Sequence, residues 1–122
     1  VFAERAGLNP DQIRSLVHGG GADDCWTAQR DRLLIELADQ LHERSDVDDE
    51  LWDELAGSFT EEQLLDLLAL CGWVHTISYL TRGVRVEPEP GLPSFDDVPG
   101  PAGYTGERGP RRPSRATRRG ST

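Results

Sequence analysis

An all-α fold is predicted by three features of this sequence: helix-start signals placed ahead of apolar runs, apolar residues spaced by three and four, and glycines where those runs stop. Phe2 to Ala6 reads as the last turn of a helix, ended by Gly7, which enters the left-handed conformation without a Cβ penalty. Asn9-Pro10-Asp11-Gln12 then supplies an N-cap, a proline at the first helical position and a glutamine at the third. Ile13, Leu16 and Val17 give that helix one apolar face, and Gly19-Gly20-Gly21 ends it. Trp26, Leu33, Leu34, Leu37, Ala38 and Leu41 fall on one stripe, predicting an amphipathic helix of about four to five turns.

Asp48 caps a short helix carrying Leu51, Trp52 and Leu55, with Val47 and Trp52 spaced as a hydrophobic staple and Gly57 as its stop. Thr60 with Gln63 forms a capping box, and Phe59 can staple onto Leu64, so the longest helix is expected over about Glu61 to Arg82. Its leucines, with Cys71, Val74 and Ile77, surround most of the circumference, which predicts burial on several sides, as a central helix or an oligomer interface. Val84 to Val86 reads as a short extended piece. Residues 1–86 are thus expected to form a helical domain. Residues 87–122, rich in Pro, Gly and Arg, are expected to be a disordered tail without regular structure.

The formal charge of −9 hides an asymmetry, because residues 1–100 carry 7 Arg against 21 Asp and Glu, while residues 101–122 carry 6 Arg and one Glu. An acidic body repels nucleic acid and anionic membranes, and no partner of either kind is expected. The tail arginines lack an aromatic platform beyond Tyr104. Cys25 and Cys71 form no C-x-x-C pair and there is no signal-peptide pattern, so free thiols in a reducing cytoplasm are expected. Asp66 and His75 interrupt the apolar stretch Leu64 to Leu80, which argues against a membrane span. The chain starts at Val1 inside a helical pattern and contains no Met, as expected of a fragment or of a product of a non-Met start codon.

Several of these pieces occur together in one order: Ala3-Glu4-Arg5-Ala6-Gly7-Leu8 with Asp11-Gln12-Ile13, then Leu33-Leu34 with Leu37-Ala38-Asp39-Gln40-Leu41-His42. Asp48, Leu51-Trp52 and Leu55 follow, and Phe59-Thr60 with Glu62-Gln63-Leu64 leads to Cys71-Gly72. Over residues 1–93 this order resembles the carboxymuconolactone decarboxylase and alkyl hydroperoxidase D-like family. The resemblance implies an all-α bundle that assembles as a homo-oligomer. It also implies either decarboxylation of a carboxylated muconolactone or peroxiredoxin-like reduction of a hydroperoxide through a Cys-x-x-Cys pair with His and Glu. The family's motif histidine would fall just before Val1, so the catalytic motif is missing from this chain, and a noncatalytic oligomerisation or partner-binding module is the alternative.

Two candidates for chemistry remain. His75 lies one turn after Cys71, so thiol and imidazole share a helix face, and an adjacent imidazole can favour a thiolate. The structural alternative is a buried histidine hydrogen-bonded to a neighbouring carbonyl beside an inert core cysteine. His18 and His42 sit at a helix end and on a polar side, so no metal site is expected, nor any cofactor. Asp39 and His42 read as solvated groups near a helix end. Trp26, Trp52 and Trp73 could wall a ring-shaped substrate, although packing alone accounts for each.

Overall fold

The computed structural model describes residues 2–102 and is helical, with no strand among them. α1 (Phe2–Arg5) closes through Gly7 at φ +90°, the Leu8 N–H bonding back to the Ala3 carbonyl. α2 (Pro10–His18) opens on the expected box, in which Asn9 and Gln12 each accept from the other's backbone N–H. α3 (Gln29–Arg44), α4 (Asp49–Ser58) and α5 (Glu61–Val84) follow. The Thr60 and Gln63 box starts α5 as the sequence demands.

Leu33 and Leu37 of α3, Leu51 and Leu55 of α4, and Leu64 of α5 form one core, with Leu41, Val47, Phe59, Leu67 and Leu68 packed against it. The turn into α4 is held by two reciprocal hydrogen bonds. Gln40 donates to the Asp48 carboxylate at 2.7 Å and accepts from the Asp48 N–H at 2.9 Å. The other Asp48 oxygen caps α4 through the Leu51 N–H at 2.8 Å.

Four expectations are corrected. Trp26 does not belong to the α3 stripe, because the helix begins three residues later. Its buried ring anchors the preceding loop instead, the indole N–H donating to the Ser15 hydroxyl of α2 at 2.8 Å. Ser15 in turn donates to Asp23 at 2.6 Å, and Gly19 is needed there because a Cβ would stand 2.0 Å from an Asp23 oxygen. Trp52 is exposed rather than stapled inward, whereas Val47 does pack on the core. Val84 ends α5 instead of starting an extended piece, and Arg85 caps it in the left-handed region at φ 58°.

The fourth correction concerns α5 itself. Of its many apolar residues only Leu64 is buried, while Leu70, Trp73, Ile77 and Leu80 are 44–63% exposed. One chain therefore does not surround α5; it covers one stripe at the helix start and leaves the opposite side open. By length and composition α5 is also apolar enough to cross a bilayer. Within the expected tail, Ser94 and Asp97 box a 3₁₀ turn (Phe95–Asp97), and the Val98 carbonyl lies 3.1 Å from His18 Nε2. Residues 103–122, including the arginine-rich end, lie outside the described residues.

Leu55 is fully buried at the centre of the core, so Leu55→Ala should cost about 2–5 kcal/mol of unfolding free energy. Leu65→Ala, on the open side, should stay within about 0.5 kcal/mol in the same urea titration. A second expectation follows from the caps. The Leu51 N–H and then Gln40 hold the Asp48 carboxyl below the usual carboxylate range, and Ser15 and then the Gly20 N–H do the same for Asp23. Carboxyls depressed on folding favour the fold above their unfolded value, near 4, and that contribution is lost as pH falls through the depressed value. Thermal unfolding followed from pH 5 downward should therefore lose stability less steeply in Asp48→Asn than in the parent chain.

Candidate functional site

The core places the start of α5 against α4, and from there α5 runs past the end of α3. Cys71 and His75, one turn apart on α5, share a cleft with Leu41 of α3 and its C-cap, Ser45. Together with Leu68 and Tyr79 they line an open cleft of about 290 Å³. His42, which the sequence assigns to a solvated helix side, stands beside this cleft. Its Nδ1 lies 3.3 Å from His75 Nε2, with ring centroids 5.4 Å apart and planes tilted by 42°. Tyr79 packs edge-on to the His75 ring, with centroids 5.6 Å apart.

His75 is thus satisfied neither by a carbonyl nor by apolar burial alone; its partner is a second imidazole. A hydrogen bond between two imidazoles requires one N–H and one bare nitrogen, so the pair can pass a proton between two rings without moving either backbone. His75 is half-buried and His42 exposed, which leaves one ring of the pair open to solvent. The Asp39 carboxyl, one turn before His42, is pushed up by burial and by Glu43, against an opposing pull from His42. Cys71 is a half-buried free thiol on the same wall.

Larger clefts exist, and in the one beside α2 several polar groups are already engaged. The one of about 580 Å³ beside α2 is lined by Asp11, Arg14, Ser15, His18 and Asp23, among others. There Arg14 bonds Asp11, Ser15 bonds Trp26 and Asp23, and His18 meets Val98. Cys25 lines that second cleft rather than the first, its Sγ 3.8 Å from the Asp11 carbonyl, so the structure does not bring the two cysteines together. Among the described residues no group of three or more His, Cys, Asp or Glu side chains could hold a metal ion. Trp26, Trp52 and Trp73 do not line the α3–α5 cleft.

Of the residues at this cleft, the sequence singles out His75 and Cys71, assigns His42 to a solvated side and does not single out Tyr79. Tyr79 was accessible to sequence reasoning, being one turn beyond His75 on the Cys71 face. His42 was not, because its approach to His75 depends on how α5 crosses α3.

If the two rings share a hydrogen bond, His42→Ala should shift the ring nitrogen resonances of His75 and leave those of His18 in place. Unmoved His75 resonances would show the rings to be independent in solution.

No family model, no curated protein and no solved structure matches this chain.

Proposed function

We propose that this chain is a carboxymuconolactone decarboxylase-like helical domain of the cytoplasm, and that the cleft between α3 and α5 receives a small carbonyl or peroxide substrate. The supporting observation is that Cys71, His75 and Tyr79 line one cleft while His42, beside it, lies within hydrogen-bond distance of His75. For a carboxylated lactone, loss of CO₂ leaves an electron pair that the conjugated lactone carbonyl takes up. A proton must then return to carbon, and the imidazole pair is the group beside the cleft able to deliver it. For a hydroperoxide, the Cys71 thiolate would attack the O–O bond, giving a sulfenic acid and an alcohol. An external thiol would then have to reduce the sulfur, since Cys25 lies in the other cleft.

Turnover of 4-carboxymuconolactone and of a small alkyl hydroperoxide with added dithiol separates these chemistries. General acid–base catalysis contributes about 10²–10⁴-fold, so His75→Ala should lose that much lactone turnover while Cys71→Ser keeps it. Peroxide turnover should show the reverse dependence on Cys71. Absence of both activities in the unmodified chain would rule this reading out.

A second reading, a noncatalytic homo-oligomerisation module, is favoured by the open apolar side of α5. Sedimentation equilibrium tests it directly: the chain should sediment as a multimer.

A further inference from the structure

The two nitrogens that face each other across the α3–α5 junction, His42 Nδ1 and His75 Nε2, stand 3.3 Å apart. That separation lies just beyond the usual range for an N–H donor, which ends at about 3.2 Å. It suits a second use of the same atoms. Zinc bonds imidazole nitrogen at about 2.0–2.1 Å, and across a tetrahedral angle two such bonds set their nitrogens about 3.3–3.4 Å apart. Ligands at a right angle, as in square-planar or octahedral complexes, would stand about 2.9 Å apart at the same bond length. The observed pair has the tetrahedral spacing.

We infer that His42 and His75 form a two-imidazole clip for a tetrahedral divalent cation of the zinc type, held between α3 and α5. Sequence spacing argues against zinc because it looks for three or four ligands in one motif; this clip takes one from each of two helices. His42 is exposed and the cleft beside the pair is open, so an ion has an entry path, and a small rotation of the exposed ring swings its lone pair toward that ion. Tyr79 packs on the His75 ring and limits its rotation. Asp39, one turn before His42, interacts with that ring electrostatically and adds negative charge beside the pair. The ring that donates in the metal-free pair moves its N–H to its other nitrogen, so both facing nitrogens are bare and a neutral pair loses no proton. Among the described residues no third His, Cys, Asp or Glu completes a ligand set. The other two tetrahedral positions therefore go to water or to an oxygen of a small molecule in the cleft.

Zinc chloride titrated calorimetrically into the full chain should bind as a single ion per chain, and it should raise the thermal midpoint because it ties only the folded state together. Capture by the second ring is intramolecular, so His42→Ala should weaken zinc by about 10²-fold or more. That side chain is exposed, and the variant should keep the parent's circular dichroism. His18→Ala, in the other cleft, and Cys71→Ser should bind zinc as the parent does. Cobalt in place of zinc should give the intense visible bands of a tetrahedral ion in the parent and lose them in His42→Ala. No binding by the parent, or equal binding by parent and His42→Ala, would overturn the clip. A loss in Cys71→Ser as large as that in His42→Ala would overturn the two-donor set, and the weak bands of octahedral cobalt would overturn the geometry. Each measurement reads binding directly and stands apart from the lactone and peroxide chemistry proposed above.

Discussion

The paired hydrogen bonds between Gln40 and Asp48 are the constraint on which the rest of the described structure depends. They join a residue near the end of α3 to the N-cap of α4, so they set where α4 turns back along α3. That turn brings Leu51 and Leu55 onto Leu33 and Leu37, and only with α4 so placed does Leu64 find a buried position. Asp48 also caps α4, so one carboxylate both ends the loop and starts the helix. The adjacent Arg44 ion pair, at 3.3 Å and half exposed, adds little beside these bonds.

Once Leu64 is seated, the direction of α5 is decided, and with it the site. A rigid helix carries Cys71, His75 and Tyr79 along one side, each a turn beyond the last, and that side meets the end of α3 at His42. The same rigidity turns the opposite stripe away from the chain. The cleft and the exposed stripe are therefore two consequences of one packing decision. A substitution that tilts α5 would move both, while a change confined to Ile77 should leave the His42–His75 bond unaffected.

The α2 region is organised on different terms. The only buried residue of the helix itself is Ser15, a polar side chain that accepts from the buried Trp26 indole and donates to Asp23. This knot lets a loop built from Gly19-Gly20-Gly21 and two aspartates hold a defined path without a strand or helix. Each buried side-chain nitrogen and oxygen there has a partner, as low-dielectric surroundings require.

The start of every helix longer than one turn, except α3, was legible in the sequence, because caps are local: Asn9 with Gln12, Asp48, and Thr60 with Gln63 act within three residues of themselves. Leu33, Leu37, Leu51, Leu55 and Leu64 were equally legible as core, since helical period reports which residues share a face. Period does not report what covers a face, and for that reason α5 reads as buried all round although this chain covers only one stripe of it. Trp26 was misplaced for a related reason: its spacing fits a helix, but its indole N–H found a hydroxyl on α2 before the helix began. The meeting of His42 with His75, 33 residues apart, was decided by tertiary structure alone, because it depends on a crossing of two helices that neither helix encodes by itself.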